Sequence, residues 1–338
     1  MKRLWPSLCL LAAAGCAAGP TVLRPAGGFA HALGRDHPLA GRVYAVGSHE
    51  LVTPEGLFDA LAQSELVLLG ETHDNRDHHA LQAQLVEQFA ESHSHASVAF
   101  EMLDESQAAA VANTAGSTPE QLAQRVAWSE TGWPAFELYR PIFAAALSAG
   151  LRIVAAHPSR EHVRASMHGV DAAESASLHL DQPLPADQQA AQRDEIRESH
   201  CGQAPEAMAL AMQRAQSYKD AFMARALVHS APAVLITGRG HARNDRGVPL
   251  FLRRSGARRV LSVAFVEAEE ARPRPEDYDL GAFDYVVFTP RESDEDACER
   301  FKRQLEKLAP SPSSSSASAT STLSQACSSS IHGAASGT

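Results

Sequence analysis

The sequence predicts an α/β fold, with a mainly parallel central sheet flanked by helices and a helical insertion or cap. Short apolar runs bounded by glycine or charged residues recur along the chain, which is typical of strands buried on both faces of a sheet. These runs lie at residues 66–69, 97–102, 152–157, 233–237, 260–266 and 285–289. Amphipathic helical patterns separate most of them, and this alternation predicts parallel strands. The stretch of about 160–230 shows helical patterns but no strand, so we expect an insertion there.

Before the first buried strand, the pattern predicts a hairpin and a helix. Residues 42–46 and 50–52 are separated by a Gly-Ser-His turn, which is typical of a short β-hairpin. Thr53 is a suitable N-cap and Pro54 fits the first helical position. We therefore expect a helix that begins at Pro54 and ends near Ala62.

A helix and a second strand follow the first buried strand. Apolar residues recur at helical spacing over residues 79–90, which predicts an amphipathic helix. We expect His78 and His79, at its start, to be mostly exposed to solvent. Because one helix joins the strand at 66–69 to the strand at 97–102, we expect these two strands to be parallel neighbours.

The amino-terminal residues have the pattern of an export signal. Lys2 and Arg3 precede an apolar run, and small residues lead up to Cys16. The run is far shorter than the ~20 residues that span a bilayer. The pattern is similar to the bacterial lipobox, in which the cysteine is acylated, although Ala13 stands where leucine is commonest. We expect residues 1–16 to be a lipoprotein signal and Cys16 to carry the lipid; cleavage that leaves a free periplasmic protein is the alternative.

Composition divides the rest of the chain into three segments. Residues 17–40 are rich in Gly, Ala and Pro, so we expect a tether. Residues 41–309 carry the patterns of the α/β domain, with the helical insertion at about 160–230. Residues 310–338 are mostly Ser, Ala and Thr, a composition too poor in apolar side chains to form a core, so we expect a disordered tail.

Charge and cysteine content narrow the classes of partner. The chain has 30 Lys and Arg against 40 Asp and Glu, a net charge of −10, which argues against nucleic acid and anionic lipid as partners. We therefore expect attachment to a membrane through a lipid anchor only. Cys201, Cys298 and Cys327 would remain after export, and an oxidising compartment then allows at most one disulfide among three pairings. The sequence has no Cys-x-x-Cys pair, so it predicts no thiolate zinc site.

Polar side chains stand at the ends of three predicted strands. Glu71 and His73, in the sequence Gly-Glu-Thr-His, follow the first buried strand, and His241, in Gly-Arg-Gly-His, follows the strand at 233–237. Glu101 lies at the end of the strand between them in sequence. Because ligands of α/β proteins bind outside the carboxyl ends of the strands, we expect these four side chains to share one crevice. The alternative is that Glu71 and His73 only cap the next helix and face water.

The four side chains offer the nitrogen and oxygen ligands that divalent metals prefer. With a metal-activated water and with Glu71 or Glu101 as the base, the protein would be a metal-dependent hydrolase. The sequence contains neither His-Glu-x-x-His nor Gly-x-Ser-x-Gly, so it predicts neither a local zinc motif nor a serine nucleophile. The metal hypothesis therefore depends on whether the strand ends converge.

One helix carries an aromatic stripe beside a cation. Phe136, Tyr139 and Phe143 share one face of the predicted helix, which is a pattern typical of a core. Core packing explains less easily why Arg140 stands next to Tyr139. A neighbouring cation favours the phenolate form of a tyrosine. Further along, His157 lies at the carboxyl end of the next strand.

These motifs occur in an order that resembles one family. They are Leu-Leu-Gly-Glu-Thr-His-Asp-Asn, Ala-Phe-Glu-Met, Gly-Trp-Pro-x-Phe-x-x-Tyr-Arg-Pro, His-Cys-Gly and Gly-Arg-Gly-His-Ala-Arg-x-Asp-x-Gly-Val-Pro. Each motif alone has low specificity, but the ordered set, from about Val43 to Phe288, is similar to the ChaN-like haem-binding lipoproteins. That family is grouped with Tiki-type proteases and erythromycin esterase-like proteins.

The resemblance implies an α/β domain with a helical part, anchored by lipid to the outer membrane on its periplasmic or surface side. It implies a role in haem or iron uptake, with haem bound between the two subunits of a homodimer and an outer-membrane haem receptor as a further partner. In the family a tyrosine binds the haem iron, and the matching position is Tyr139; phenolate is an established ligand of haem iron. Arg140 would then hold the phenolate or a haem propionate. The residues that carry over as pocket residues are Glu71, His73 and His241. His157 stands where the family is expected to have asparagine.

The sequence thus leaves three functions open. The leading hypothesis is a haem-binding lipoprotein that is not an enzyme. The alternative is a metal-dependent hydrolase that uses Glu71, His73, Glu101 and His241. A third hypothesis, a periplasmic interaction module, is disfavoured because carboxylates and histidines stand at the strand ends.

Overall fold

The computed structural model describes residues 21–296, 298–299 and 302–303, and its centre is one eight-stranded sheet. The strands are β1 (Val43–Ala45), β2 (Glu50–Val52), β3 (Leu66–Glu71), β4 (Ser97–Asp104), β5 (Arg152–His157), β6 (Ala233–Gly238), β7 (Val260–Glu267) and β8 (Tyr285–Thr289). Their order across the sheet is β2-β1-β8-β7-β3-β6-β4-β5. Strands β3 to β8 pair in parallel, whereas β1 is antiparallel to both β2 and β8. The mainly parallel α/β sheet and the amino-terminal hairpin are therefore confirmed.

Helices pack on both faces of this sheet. Those in the described part of the chain are α1 (Pro54–Gln63), α2 (Arg76–Ser92), α3 (Ala108–Val111), α4 (Pro119–Arg125), α5 (Trp128–Thr131), α6 (Phe136–Ser148), α7 (Arg160–Ser166), α8 (Ala172–Ser177), α9 (Ala186–Ser199), α10 (Glu206–Ser230) and α11 (Val248–Arg254). Helices α7 to α10 occupy the stretch between β5 and β6, where the sequence predicts a helical insertion. None of these helices is both long and apolar enough to cross a bilayer.

The first two helices begin where local chemistry favours a start. Helix α1 begins at Pro54, after Thr53 in an extended conformation, as the sequence predicts. Helix α2 begins earlier than predicted because the Asn75 side chain accepts hydrogen bonds from the backbone N–H groups of Asp77 and His78, at 2.9 and 3.2 Å. An N-cap of this kind satisfies donors that have no partner within the helix.

Alternate residues of the central strand serve two separate cores. Val67 and Leu69 of β3 face the layer that contains α1, α2 and α6, while Leu66 and Leu68 face the layer of α10 and α11. This alternation follows from the two-residue period of a strand. Because both faces are covered by helices, the strand has to be apolar at every position, which explains its unbroken hydrophobic run.

Strand β6 lies between β3 and β4, so the expectation that β3 and β4 are neighbours is wrong. Every residue of β6 is buried, and its register sets Gly238 beside Glu71 of β3 and Ile236 beside Phe100 of β4. A run this apolar is most stable in the middle of the sheet, where helices cover both faces. The position of β6 between β3 and β4 brings the polar residues of all three strands together.

Residues 21–40 pack on the domain and do not form a free tether. Leu23 and Phe29 are buried in the core that faces α2. The backbone N–H groups of Ala30 and His31 donate to the Asp77 carboxylate at 2.7 and 3.1 Å. Buried apolar side chains among the glycines and prolines hold this segment in place. The predicted signal at 1–16 and tail at 310–338 lie outside the described residues.

A disulfide joins the helical insertion to the chain that follows β8. Cys201, just after α9, is bonded to Cys298, with the two Cα atoms 5.5 Å apart. Of the three pairings that the sequence allows, this is the one that the structure forms. Cys327 lies outside the described residues.

Reducing the Cys201–Cys298 bond is expected to lower the free energy of unfolding by about 2–4 kcal/mol, because the bond restricts the unfolded chain. It connects residues 97 positions apart, which makes the restriction large. Thermal unfolding with and without a thiol reductant measures the loss. Peptide mapping without reduction is expected to recover Cys201 linked to Cys298, and a disulfide that contains Cys327 would contradict the assignment.

Candidate functional site

Glu101 belongs to β4, and all the groups that contact its carboxylate come from β6 and the loop after it. Its Oε2 accepts hydrogen bonds from Thr237 Oγ1 at 2.7 Å and from the Gly238 backbone N–H at 2.8 Å. Its Oε1 lies 3.1 Å from His241 Nε2. The other ring nitrogen of His241 lies 2.5 Å from Asp220 Oδ1 of α10. The result is a buried Glu101–His241–Asp220 chain.

The three side chains Glu101, His241 and Asp220 have shifted pKa values. Burial alone would raise the pKa of Glu101, but the charge and hydrogen bond of His241 outweigh it and hold the pKa well below the usual value. Burial would likewise lower the pKa of His241, but Glu101 and Asp220 raise it to about 9. Burial raises the pKa of Asp220, although His241 opposes the shift. At neutral pH His241 is therefore a cation between two acidic groups.

Glu71 is the centre of a second buried cluster. Its Oε1 lies 2.9 Å from His73 Nδ1 and accepts a hydrogen bond from the Tyr139 hydroxyl at 3.1 Å. His79 Nδ1 approaches Oε2 to 2.5 Å as an ion pair, without the angle of a hydrogen bond. Burial would raise the pKa of Glu71, but the charge of His79 and the bonds of His73 and His79 lower it overall. Burial would lower the pKa of His79, and Glu71 raises it above the usual value.

His78 and His79 are buried, so the expectation that they are exposed is wrong. The Thr72 backbone N–H donates to His78 Nδ1 at 2.9 Å, and His79 Nε2 donates to the His73 carbonyl oxygen at 3.0 Å. Both rings thus fix the loop between β3 and α2, which carries His73 and directly follows Glu71. The helix begins early enough to turn both histidines toward the sheet.

Three of the four predicted strand-end residues share one crevice, and the fourth, Glu71, lies outside its lining. His73, Glu101 and His241 line one small cavity of about 100 Å³. Glu71 is fully buried behind His73. Thr237, Lys219 and Asp220 complete the setting, and sequence reasoning missed all three. Lys219 and Asp220 come from α10, whose polar residues give no signal that they face inward until the fold is known.

The converged residues do not form a metal-binding group. Within the described part of the chain, no set of three or more His, Cys, Asp or Glu side chains is arranged to hold a metal ion. The carboxylate oxygens instead contact histidines and neutral donors. The divalent-metal alternative for Glu71, His73, Glu101 and His241 would require these contacts to be exchanged for a metal.

Tyr139 and Arg140 occupy very different surroundings. Tyr139 is fully buried in the aromatic core, and its hydroxyl donates to Glu71. Burial, together with the charge of Glu71, raises the pKa of Tyr139 well above the usual value, so the phenolate is disfavoured. Arg140 is about half exposed and its Nε lies 2.6 Å from Glu120 Oε1. As the chain stands, Tyr139 would have to leave the core to bind an iron, so its role as the iron ligand stays a prediction.

A large cavity of about 800 Å³ lies against Glu101. Its floor is buried and its mouth is exposed to solvent. The floor residues are Glu101, Met102, His157, Met212 and Lys219. Further apolar lining comes from Val126, Val163, Met167, Met208, Ala211 and Trp133. The cavity has the size and the mixed apolar and polar lining of a cofactor site.

Three arginines stand at the mouth of this cavity without carboxylate partners. Arg125 donates to the Asn113 carbonyl oxygen at 3.0 Å and to Ser117 Oγ at 2.9 Å, and Arg160 donates to the Thr131 carbonyl oxygen. Within the described residues Arg164 forms neither a hydrogen bond nor an ion pair. Guanidinium groups in this state are available to bind carboxylates of a ligand.

Two buried groups on the floor are also available to a ligand. His157 Nδ1 lies 2.7 Å from the Pro158 carbonyl oxygen, and burial lowers the pKa of His157 to about 4, helped by Lys219. His157 is therefore neutral at pH 7. Lys219 is buried and forms no hydrogen bond or ion pair with any described residue; burial lowers its pKa, although Glu101 and Asp220 oppose the shift.

Replacing His241 with Gln is expected to destabilise the protein most at low pH. The pKa of His241 is raised from 6.5 to about 9 in the folded protein, so its stabilisation is complete below pH 6.5 and is lost as the pH rises through 9. Tm measured against pH, for the wild type and His241→Gln, is expected to give a difference that shrinks over this window. His229→Gln, at an exposed histidine of α10, is the control and is expected to show no such trend. A difference that stays constant or grows with pH would contradict the ion-pair assignment.

Comparison with known proteins adds a family and a fold. The sequence matches the family model described as "Haem-binding uptake, Tiki superfamily, ChaN" over residues 57–252. No curated protein matches the chain significantly. Among solved structures, the fold is similar to that of ChaN of Campylobacter jejuni, in a structure described as cofacial haem binding, with a TM-score of 0.61 and 20% identity. That match covers 72% of this chain and 95% of the other.

Two other solved structures match more distantly. The type III effector HopBA1 has a TM-score of 0.42 at 14% identity, over 70% of this chain and 92% of its own. The erythromycin esterase EreC, in its open conformation, has a TM-score of 0.37 at 14% identity, over 75% of this chain and 84% of its own. The family model covers more than half of the 338 residues, and the ChaN structure shares the fold. This chain therefore belongs to the ChaN family of haem-binding uptake proteins, within the Tiki superfamily.

Proposed function

We propose that this chain binds haem in the large cavity and serves haem or iron uptake as a lipid-anchored protein of the outer membrane. The observation that carries the proposal is the cavity itself. It combines a volume of about 800 Å³, an apolar wall rich in methionine, and a mouth with three arginines that lack carboxylate partners. Haem is a flat apolar molecule with two carboxylates at one edge, and this lining offers partners for both parts.

The residues present fit haem in three respects. The methionines and Trp133 provide the soft, polarisable surface that an apolar macrocycle contacts. Arg125, Arg160 and Arg164 provide partners for propionates. His157 provides a neutral imidazole on the floor. When bound, haem would supply an iron that protein side chains can ligate.

A homodimer is part of the proposal. ChaN of Campylobacter jejuni is described by cofacial haem binding, in which two haems face one another. If this chain binds haem in the same way, two copies would meet with the mouths of their cavities facing. An outer-membrane haem receptor is the further partner that uptake requires.

Export to an oxidising compartment is supported by the Cys201–Cys298 disulfide. Disulfides persist in the periplasm and are rare in the cytosol. The basic start and the small residues before Cys16 agree with a lipoprotein signal. We infer that Cys16 is acylated and that the domain faces either the periplasm or the cell surface.

The second candidate function is hydrolysis, as in the erythromycin esterase-like group. It is favoured by the buried Glu101–His241–Asp220 chain, since strongly shifted pKa values beside a cavity are typical of catalytic groups. Such an enzyme would use Glu71 or Glu101 as its base. Glu71→Ala would then abolish turnover, and Tyr139→Phe would have little effect. If the protein instead stores haem through Tyr139, Tyr139→Phe would weaken haem binding and Glu71→Ala would have little effect on it.

Replacing Arg164 with Ala is expected to weaken hemin binding about tenfold, because a charge-assisted hydrogen bond contributes about 1.5–3 kcal/mol and the mouth is exposed to water. The substitution breaks no bond to the described residues, so the fold is expected to be unaffected. An absorbance titration with hemin measures the change. Arg259→Ala is the matched control, since Arg259 is exposed and pairs with Glu65 before the amino end of β3. Equal affinities for Arg164→Ala and the wild type would remove Arg164 from the site.

Replacing Cys16 with Ser is expected to release the protein from the membrane fraction, because a lipid anchor requires the thiol as its attachment point. Fractionation of cells that express each form, with mass spectrometry of the mature amino terminus, measures this. Cys327→Ser is the control and is expected to stay with the membrane. An unmodified amino terminus that begins elsewhere in the wild type would overturn the lipoprotein assignment.

A further inference from the structure

His157 has the bonding pattern of a ligand whose acceptor atom is free. It is the last residue of β5, is buried, and lines the floor of the large cavity. Its Nδ1 lies 2.7 Å from the Pro158 carbonyl oxygen. Because a carbonyl oxygen only accepts hydrogen bonds, Nδ1 carries the hydrogen and Nε2 carries the lone pair of the neutral ring. No described residue forms a hydrogen bond with Nε2.

On the basis of the proposed haem site, we propose that His157 binds the haem iron of this chain through Nε2. A histidine ligand is typically oriented by a hydrogen bond from its other ring nitrogen to a carbonyl or carboxylate, and the Pro158 carbonyl oxygen provides that bond. Imidazole is an established ligand of haem iron. The protein thus holds the ring in the required tautomer before haem arrives.

The other histidines near the strand ends are engaged or face elsewhere. His241 contacts Asp220 through Nδ1 and Glu101 through Nε2. His79 contacts Glu71 and the His73 carbonyl oxygen, and His78 is held by Thr72 and Thr289, so each uses both ring nitrogens. His73 lines the cavity of about 100 Å³, which is far smaller than the large cavity. Of these histidines, His157 alone lines the large cavity with a ring nitrogen that has no partner.

The remaining floor residues are poorer donors. Both oxygens of Glu101 already contact Thr237, Gly238 and His241. Burial lowers the pKa of Lys219, although Glu101 and Asp220 oppose the shift, and an amine is not among the usual protein ligands of haem iron. Tyr139 does not line the large cavity, and its hydroxyl donates to Glu71. Among the floor residues, this leaves the His157 imidazole as the strongest iron ligand, with Met102 and Met212 as the other candidates.

The test is a hemin titration of the full purified protein, followed by resonance Raman and electron paramagnetic resonance spectra of the ferric complex. The variants are His157→Ala, His157→Asn and Tyr139→Phe. His162→Ala is the matched control, because His162 lies on the adjacent helix α7, is exposed, and pairs with Glu105 outside the cavity lining. Far-ultraviolet circular dichroism and Tm verify that each variant is folded.

The wild type and His162→Ala are expected to share a spectrum with histidine ligation. His157→Ala and His157→Asn are expected to lose this spectrum and to bind hemin at least 10-fold more weakly. Removing a residue that only hydrogen-bonds to a metal ligand already weakens binding by roughly 10-fold or more, so removing the ligand itself is expected to cost at least as much. Added imidazole is expected to restore the wild-type spectrum in His157→Ala, which a merely structural role of His157 would not produce.

Two contrary results are distinguishable. Saturable hemin binding whose spectrum is unchanged in folded His157→Ala, or is lost only in Tyr139→Phe, would overturn the His157 assignment and leave the proposed function standing. If the folded wild type shows no saturable binding of hemin, both the assignment and the haem-binding function are overturned.

Discussion

The bonds that β6 makes to Glu101 are the constraint on which the rest of the site depends. A carboxylate inside a buried strand, such as Glu101 in β4, is costly unless donors surround it. Thr237 and Gly238, at the end of β6, supply two donors, and His241 in the following loop supplies the third contact. These bonds require β6 to lie directly beside β4. The sheet order therefore satisfies the carboxylate and, in the same step, brings His241 to the end of β3.

Two buried ion clusters then fix the strand ends, and one of them reaches the large cavity through Glu101. Removing a charge from water costs several kcal/mol even after relaxation, so each charge has to be matched where it lies. Glu71 is matched by His73 and His79, and Glu101 and Asp220 are matched by His241. Breaking either cluster would leave an uncompensated buried charge. The clusters thus hold the loops after β3 and β6, and the large cavity, with its apolar wall and arginine mouth, lies beside them against Glu101.

Sequence patterns predicted the fold class, the hairpin, the start of α1 at Pro54 and the convergence of His73, Glu101 and His241 on one cavity. These features follow from local chemistry and from the general rule about strand ends in α/β sheets. The position of β6 could not be predicted, because strand order depends on which face of which strand each helix covers. Asp220 and Lys219 were missed for the same reason, since α10 turns them inward only once it packs on the sheet. His79 was assigned to solvent because the Asn75 cap, which starts α2 early, was not recognised.

For Tyr139, the role that the family resemblance predicts does not agree with the environment of the side chain in the structure. The resemblance predicts it as an iron ligand, while the structure buries its hydroxyl against Glu71 and disfavours the phenolate. His157 lines the floor of the large cavity, and its Nδ1 is held by the Pro158 carbonyl oxygen, so Nε2 is left without a hydrogen-bond partner among the described residues.

The central claim is that haem binds in the cavity beside the β4 and β5 strand ends. The most direct measurement is a crystal structure of the hemin complex with anomalous data at the iron edge. The account predicts one iron peak for each chain inside this cavity, within bonding distance of the His157 imidazole, with the propionates toward the arginine mouth. An iron peak outside the cavity, whether beside a displaced Tyr139 or elsewhere on the surface, would contradict it.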